Sequence, residues 1–175
     1  KELDIFDQLQ LEEALLRCDN NNWCIINEGT KRKAIVLGIS GKKEQLISPS
    51  SLSTNDIAVI KRFSGGGCVV VDQNTLFVTF IFGKNTIPIK PYPESILQWS
   101  YNIYNKAFTI PNFHLKENDF VINNTKCGGN ALYIKKDRWL IHSSFLWDYS
   151  DKNMDHLLLP EKKPEYRQNR PHADF

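Results

Sequence analysis

The chain has 175 residues, of which 41% are hydrophobic and 24% are charged, and its formal net charge is +2. This length is typical of one domain that buries a sizeable core without metal or disulfide support. So small a net charge argues against a nucleic-acid surface, and no stretch approaches the ~18 apolar residues that a membrane span requires. We therefore expect a single domain over residues 1–175, with neither nucleic acid nor a membrane as a partner.

The spacing of cysteine and histidine bears on metal sites and on the compartment. The four cysteines include no C-x-x-C pair, and the four histidines show no metal-ligand spacing. We expect free thiols in a reducing compartment, which is the cytoplasm or, in a eukaryote, an organelle matrix. We also expect no metal held by a side-chain cluster.

The N-terminal third alternates helical and β-rich patterns. Apolar residues at near-helical spacing predict an amphipathic helix that ends near Cys18. The runs WCIINE and KAIVLGI are short and β-rich, and we expect them to pair with each other as strands. The polar segment of residues 42–56 contains Pro49 and a serine cluster, which predicts a mobile loop.

The rest of the chain groups strands between helices. A strongly amphipathic helix is predicted from Pro93 to Phe108, and a short helix follows near residue 154. Further strands are predicted at IAVIKRF, CVVVD, LFVTFIF, NDFVI, CGGNALYI and RWLIHSSFLWD. Strands clustered between outlying helices indicate an α+β fold with a mixed, largely antiparallel sheet.

The segment KRFSGGGCVVVD places three consecutive glycines between a basic pair and a predicted strand. A tight hairpin turn that needs positive φ explains such a run. An anion site, in which bare backbone N–H groups converge and Arg62 adds charge, also explains it, and the local sequence does not choose between the two. The segment is neither a P-loop nor a dinucleotide fingerprint, because it lacks Gly-Lys-Ser/Thr and continues as a strand.

A second stretch, NNTKCGGNAL, repeats this chemistry, since Lys126 stands beside Gly128 and Gly129 between two predicted strands. A lysine beside a turn is most often simply solvated. Two basic, glycine-bearing turns in one small domain indicate instead that both face one anionic ligand.

The order and spacing of these residues resemble those of lipoate–protein ligases, within the biotin/lipoate protein ligase superfamily. The matching positions are Arg62 with Ser64–Gly67, Asn118-Asp119, Lys126 with Gly129 and Ala131, and the segment DRWLIHSS. The ending from Pro164 to Phe175 further resembles that of a short subgroup of these proteins. The resemblance covers roughly residues 9 to 175.

The resemblance implies both a fold and a reaction. The fold is α+β, with a mixed, largely antiparallel β-sheet flanked by helices, like that of class II aminoacyl-tRNA synthetases and biotin synthetases, without an accessory C-terminal domain. Family members activate lipoate, or octanoate, with ATP and Mg²⁺ to the acyl-adenylate and pass the acyl group to a lysine. The implied partners are lipoyl-acceptor domains of 2-oxoacid dehydrogenase complexes or glycine cleavage H protein, and a separate accessory subunit.

The resemblance also implies roles for individual residues. Lys126 would be catalytic, as an electrostatic clamp on the carboxyl group and the α-phosphate and not as a nucleophile. The residues implied to bind the nucleotide are Arg62, Gly67, Cys68, Val69, Val70 and Lys126. Those implied to bind the acyl group or the adenylate are Ser64, Gly65, Gly66, Asn118, Asp119, Gly128, Gly129, Ala131, His142 and Ser144.

Departures from the family pattern leave two alternatives open. Val71 stands where the family commonly has histidine, Gly128 where it has serine, and Ile141 where a second histidine lies beside His142. These losses motivate a non-catalytic member that binds a lipoyl group or adenylate. The other alternative is an ATP-independent octanoyltransferase, although its cysteine nucleophile lies at positions where this chain has none.

Overall fold

The computed structural model describes residues 3–54, 57–148 and 150–175. The helices are α1 (Ile5–Cys18), α2 (Lys43–Leu46), α3 (Pro49–Thr54), α4 (Pro93–Phe108) and α5 (Asp151–Met154). The strands are β1 (Trp23–Glu28), β2 (Ala34–Leu37), β3 (Ala58–Lys61), β4 (Cys68–Val71), β5 (Thr75–Gly83), β6 (Phe113–Lys116), β7 (Asp119–Ile122), β8 (Thr125–Ile134) and β9 (Arg138–Leu146). No helix in the described ranges is long and apolar enough to cross a membrane.

Two β-sheets form the framework. The larger has six strands in the order β1-β5-β9-β8-β7-β6, and all of its neighbouring strands are antiparallel. The smaller has the order β3-β2-β4, with β2 parallel to β3 and antiparallel to β4. The predicted α+β fold with a mixed, largely antiparallel sheet is therefore confirmed.

Helix α4 covers one face of the large sheet. Pro93 lies in its first turn, where a missing backbone N–H leaves no hydrogen bond unmade. Tyr104 meets the rings of Phe145 and Phe120 edge to face, at centroid distances of 4.8 and 5.2 Å. This close-packed aromatic core fixes β7, β8 and β9, the strands that carry Lys126 and several of the predicted acyl contacts.

Helix α1 joins the two sheets. Ile5 and Leu9 pack in one buried cluster with Val36 and Val71 of the small sheet and Phe77 of the large sheet. The same face of α1 also buries two polar side chains, which belong to the site described below. The small sheet is thereby held against the face of the large sheet that α4 does not cover.

The sequence-based pairing of WCIINE with KAIVLGI is wrong. β1 pairs with β5 at an edge of the large sheet, whereas β2 is the central strand of the small sheet. All four residues of β2 are buried, while four of the six residues of β1 are exposed. A strand buried on both faces suits the centre of a sheet, and a largely exposed strand suits an edge.

Residues 42–56 contain α2 and α3 where the sequence predicts a mobile loop. Pro49 opens α3, a position that proline tolerates. Ile47, between the two helices, is fully buried and forms a β-bridge with Leu157, which ties the segment to the core. The last two residues of the segment lie outside the described residues.

Strand β6 is absent from the sequence-based prediction. It has only four residues and lies at an edge of the large sheet, paired with β7. So short a run carries little periodic signal, and its strand conformation depends on the partner.

Candidate active site

The glycine-rich loop of residues 62–67 connects β3 to β4, which lie on opposite sides of β2. The loop therefore crosses the end of β2 and does not join adjacent strands, which excludes the hairpin explanation. Gly38 N donates to Gly67 O at 2.9 Å, and Ile39 N donates to Ser64 O at 3.0 Å. The residues after β2 thus hold the loop in place, and Ser64 is buried beneath it.

Arg62 is buried within this loop, with 7% of its surface exposed. Its guanidinium donates to the carbonyls of Gly65 at 3.0 Å, Gly67 at 3.2 Å and Val36 at 3.4 Å. Burial lowers the pKa of Arg62 to about 10. Each guanidinium nitrogen therefore donates to a carbonyl that shapes the loop, and the contact of Arg62 with a phosphate stays a prediction.

The glycine positions of the loop differ in the room that they leave for a side chain. Gly66 has φ +112, and a Cβ there would lie 2.5 Å from Nη2 of Arg62, so a side chain would strain the backbone and displace the guanidinium. A Cβ at Gly67 would meet no described atom within 4 Å. Space therefore exists beside Gly67 for a ligand to approach the backbone.

The predicted amide donors Cys68, Val69 and Val70 lie in β4, at an edge of the small sheet. In an antiparallel pair only alternate residues donate to the partner strand, so β2 engages about half of these N–H groups. The others face the free edge of β4, where a phosphate oxygen can accept them.

The second glycine stretch lies inside β8 and is not a turn between strands. The turn comes earlier, at Asn123, whose φ is +57. The register of β7 with β8 then skips Cys127, because adjacent residues of β7 pair with Gly128 and Lys126. The extra residue is a β-bulge, which changes the direction of the strand next to Lys126.

The two glycines of β8 face opposite sides of the sheet. A Cβ at Gly128 would lie 2.7 Å from the ring of Phe145, so this glycine makes room for the aromatic core. A Cβ at Gly129 would lie 3.6 Å from Nζ of Lys126 and 4.0 Å from Oγ of Ser144, both ordinary contacts. Gly129 therefore lies directly beneath the ammonium group of Lys126.

Lys126 is held by an ion pair with Asp119. Its Nζ lies 2.8 Å from Oδ1 of Asp119, whose side chain is 9% exposed, and the Lys126 side chain is 33% exposed. The hydroxyl of Tyr166 donates to the other carboxylate oxygen at 2.9 Å. Burial and the nearby carboxylate raise the pKa of Tyr166, so this hydroxyl stays a donor. An ammonium has three N–H donors, which leaves Lys126 able to bind a ligand as well.

A buried polar network surrounds His142. Its Nδ1 lies 2.9 Å from Oε1 of Glu12 and 3.0 Å from Oγ1 of Thr79. Thr79 and Gln8 donate to the same carboxylate at 2.7 and 2.8 Å. Burial favours a higher pKa for Glu12, but the charge and hydrogen bond of His142 and the hydrogen bonds from Thr79 and Gln8 outweigh burial, and the pKa of Glu12 is lowered. An ionised Glu12 therefore orients the His142 ring.

Strand register brings half of the predicted acyl or adenylate contacts onto one face of the large sheet. Gly129 pairs with Ser144, and Ala131 pairs with His142. Side chains two residues apart share a face of a strand, so these positions form a continuous row. We call this row, extended onto β7 and β5, the ligand strip; its members are Asp119, Gly129, Ser144, Ala131, His142 and Thr79.

The glycine loop lies along β8. A Cβ at Gly66 would lie 3.5 Å from Asn130 O, and one at Gly65 would lie 4.0 Å from Leu132 O. Asn118 is exposed in the turn before β7, and its carbonyl accepts a hydrogen bond from Nδ2 of Asn130 at 2.9 Å. The candidate site is therefore bounded by the glycine loop, β8 and the ligand strip.

Glu12, Thr79 and Tyr166 are absent from the sequence-based prediction of the site. Glu12 carries a detectable signal, because it lies between Leu9 and Leu16 on the buried face of α1. A carboxylate is rarely buried on such a face unless it is paired. No local pattern marks Thr79, and Tyr166 is marked only by the resemblance of the segment from Pro164 to Phe175, which does not indicate its partner.

The thiols of the site are poorly suited to nucleophilic chemistry. Cys68 and Cys127 are partly buried and free of disulfides. Burial raises the pKa of Cys68 to about 12 and that of Cys127 to about 11. Because the thiolate is the reactive species, neither residue suits a mechanism through a thioester.

No metal-ligand group of three or more His, Cys, Asp and Glu side chains occurs in the part of the chain that the structure describes. A surface groove between α1, β2 and β3 is separate from the candidate site. Its lining residues are Asp4, Phe6, Arg32, Ala34, Ala58 and Ile60.

The fold and the site agree with one protein family. The family model of the lipoyl protein ligase A/B catalytic domain matches residues 4–173. The chain belongs to this family, which confirms the resemblance to lipoate–protein ligases.

Curated relatives share the family name but are longer. The inactive lipoate–protein ligase 2 of Plasmodium falciparum is 31% identical, over 98% of this chain. The lipoate-protein ligase LplJ of Bacillus subtilis is 27% identical, over 71% of this chain. The chain spans 59% of the first protein and the match spans 36% of the second.

Solved structures share the fold at low sequence identity. A chain from a bipartite lipoate protein ligase and its E2 lipoyl domain, from Thermoplasma acidophilum, has a TM-score of 0.75 and 18% identity, covering 97% of this chain and 66% of its own. LipL1 of P. falciparum in complex with lipoate has a TM-score of 0.72 and 22% identity, covering 93% and 50%. A lipoate-protein ligase A bound with ATP has a TM-score of 0.72 and 18% identity, covering 95% and 71%.

Proposed function

We propose that this chain activates lipoate or octanoate with ATP and transfers the acyl group to a lysine of an acceptor domain. The observation that carries the proposal is the position of Lys126, which Asp119 holds above Gly129 at one end of the ligand strip. A cation fixed beside bare backbone suits two anionic groups that must be brought together.

Adenylation joins a carboxylate to the α-phosphate of ATP, and these two anions repel each other. A carboxylate oxygen attacks the α-phosphorus, the bond to the β-phosphate breaks, and pyrophosphate leaves. The free donors of Lys126 would bind the carboxylate and an α-phosphate oxygen, which aligns the two groups and stabilises the charge that develops. The acceptor amine then attacks the acyl carbon of the anhydride, and AMP leaves with the electron pair.

The remaining residues have supporting roles in this proposal. The glycine loop and the free edge of β4 would donate N–H groups to the phosphates, and Ser144, Ala131 and His142 would contact the acyl group or adenylate. The chain belongs to a family in which one solved structure holds ATP and another holds lipoate. Mg²⁺ would arrive bound to ATP, since the described residues contain no side-chain cluster for it.

The acceptor and the compartment follow from the same proposal. A related fold was solved in a study of a bipartite ligase and its E2 lipoyl domain, which supports a lipoyl domain of a 2-oxoacid dehydrogenase complex, or glycine cleavage H protein, as the acceptor. The same relative supports a separate accessory subunit. The free thiols suit the cytoplasm or an organelle matrix.

A second candidate is a member that binds the adenylate or the acyl group without making the adenylate. It is favoured by the engagement of Arg62 with its own loop and by a relative that is named inactive. An octanoyltransferase is disfavoured because the pKa values of Cys68 and Cys127 are raised by burial.

ATP–pyrophosphate exchange with lipoate and with octanoate separates these candidates. The ligase proposal requires exchange with at least one acid, and Lys126→Ala should reduce it by about 100- to 1,000-fold, as for loss of one transition-state donor. The matched control is Lys106→Ala, which removes an exposed lysine from α4 and should leave exchange unchanged. Binding of either acid or AMP without any exchange would support the second candidate.

A further inference from the structure

Three cationic groups surround the ring of Phe175. Nζ of Lys126 lies 5.6 Å from the ring centroid, Cζ of Arg167 lies 4.5 Å from it, and Cζ of Arg170 lies 5.3 Å from it. Phe175 is buried, with 8% of its surface exposed. We call the three cations with this ring the Phe175 cluster.

The carboxylate that enters this cluster is already engaged. Asp119 accepts from Lys126 through one oxygen and from Tyr166 through the other. Within the described ranges neither Arg167 nor Arg170 forms an ion pair with a carboxylate. The cluster therefore holds more positive than negative charge.

Arg167 carries the strongest sign of a missing partner. Only 3% of its surface is exposed, and its Nη2 is buried without a hydrogen-bond partner among the described residues. Its Nε donates to the carbonyl of Arg170 at 3.2 Å, which accounts for a different donor of the guanidinium. A buried charged group that lacks a partner is costly, so an unpaired N–H of this kind points to an anion that completes the site.

The backbone around the cluster is well anchored. Arg170 Nη1 donates to Asn124 O at 2.9 Å, and Lys126 N donates to Phe175 O at 2.6 Å. Gln168 lies between the two arginines with φ +55, which turns the chain back upon itself. The cations are thus positioned before any ligand arrives, as a binding site requires.

The surroundings confirm an excess of positive charge. Burial and the charges of Arg167 and Lys126 lower the pKa of His172, although its hydrogen bond to Leu158 O acts in the opposite direction. The two charge effects on His172 have the direction expected where cationic side chains lie close together.

We propose that Arg167 joins Lys126 in binding the phosphate group of the nucleotide, and that the Phe175 ring occupies this position until the phosphate displaces it. The inference rests on the proposed function. The face of an aromatic ring is electron-rich and attracts cations, so it substitutes weakly for an anion. One guanidinium group can donate two parallel N–H hydrogen bonds to the oxygens of a phosphate. Arg62 is engaged with its own loop.

The test is isothermal titration of the whole chain with AMP, with inorganic phosphate and with lipoate, each alone. Arg167→Gln should weaken AMP and phosphate by about 10- to 100-fold, the loss of one charge-assisted hydrogen bond, and leave lipoate binding unchanged. The Arg170 guanidinium already donates to the carbonyls of Tyr166, Arg167, Asn124 and Asp174, so Arg170→Gln should act mainly on the melting temperature. The matched control is Arg32→Gln, since the Arg32 side chain is 83% exposed and pairs with Asp4.

Phe175→Ala provides a second test that does not remove a charge. If the ring occupies the phosphate position, this variant should bind phosphate and AMP several-fold more tightly than the unaltered chain, even though it melts at a lower temperature. If the ring is only a packing partner, the variant should melt lower with no gain in phosphate affinity, and the inference fails. Arg167→Gln must keep a cooperative melt to be interpreted; otherwise Phe175→Ala decides.

Other outcomes are equally decisive. Unchanged AMP and phosphate affinity in Arg167→Gln overturns the inference, and so does an unaltered chain that binds neither ligand. Phosphate binding that depends on Arg167 while AMP binding does not would assign the site to free phosphate and overturn the nucleotide assignment. AMP binding that depends on Arg167, in a chain that shows no pyrophosphate exchange, would support the inference while the ligase proposal fails. Normal exchange in Arg167→Gln would support the ligase proposal while the inference fails.

Discussion

The carboxylate of Glu12 lies 2.9 Å from Nδ1 of His142, although 130 positions separate the two residues in the chain. The pair joins α1 to β9 and is buried, with side-chain exposures of 1% and 9%. It therefore contributes both to the packing of α1 and to the orientation of a predicted acyl contact.

Replacement of Glu12 by glutamine should destabilise the protein by about 3–5 kcal/mol at pH 7, the cost of removing one partner from a buried pair. Glu13→Gln is the matched control, because its pair with Arg17 is exposed and should contribute nothing measurable. Urea denaturation measures both variants. Equal stabilities of the two would contradict a structural role for the buried pair.

The lowered pKa of Glu12 also predicts how the stability of the protein depends on pH. The pKa of Glu12 is lower in the folded protein than in the unfolded chain, so its stabilisation is complete above the unfolded value of about 4.3 and is lost as the pH falls through the folded value. The stability difference between the unaltered chain and Glu12→Gln should therefore shrink as the pH falls below about 4.3. A difference that stays constant over this range would count against an ionised Glu12.

The two glycines of β8 should respond differently to alanine. Gly128→Ala places a methyl 2.7 Å from the Phe145 ring and should destabilise the protein by about 1–3 kcal/mol, the usual cost of overpacking a core. Gly129→Ala meets only ordinary contacts at 3.5 Å or more, so it should melt normally. Its methyl would lie against Lys126, however, and pyrophosphate exchange should fall. Of the two variants, Gly128→Ala should have the lower melting temperature and Gly129→Ala the lower rate of pyrophosphate exchange.

Arg62→Ala should act mainly on stability. It removes the donors for three backbone carbonyls and leaves a buried gap, which should cost about 2–4 kcal/mol. The partly exposed Lys126 should show the reverse pattern on substitution by alanine, a small change in melting and a large loss of exchange. An Arg62→Ala variant that melts normally but no longer binds ATP would restore direct phosphate contact by Arg62.

The thiols should divide by reactivity. Cys68 and Cys127, whose pKa values burial raises to about 12 and about 11, should react slowly with Ellman's reagent at pH 8 in the folded protein. Exposed Cys18 should react fastest, and Cys18→Ser should remove that phase. Rapid labelling of Cys68 in the folded chain would reopen the thioester mechanism.

The sequence was sufficient to predict an element whose apolar residues recur with the period of that element. The apolar face of α4 and the proline at its start predict a helix with the bounds that the structure shows. The pairing of β1 and β2 was not predictable in the same way, because a short β-rich run shows that it prefers an extended conformation but not which strand lies beside it. Burial of β2 on both faces is a property of the assembled sheets.

Within the site, the sequence identified the residues better than their contacts. Lys126, Gly129, Ala131, His142 and Ser144 come together on one sheet face, as the resemblance implied for residues of one ligand site. Gly128 was assigned to the ligand, yet its space is taken by Phe145. The difference arises from the bulge at Cys127, which shifts the register of β8 in a way that composition does not reveal.

The sequence by itself determined the α+β class, the main helices and most strands, and it marked Arg62, Lys126 and the glycines beside them as candidates for an anion site. Only the tertiary structure decided how their charges are used: Arg62 turns into its own loop, Lys126 pairs with Asp119, and Glu12 reaches His142. The physical reason is one of range. Periodicity reports neighbours within a few residues along the chain, whereas hydrogen-bond and ion-pair partners are selected by proximity and burial in the folded molecule, between residues that are far apart in sequence.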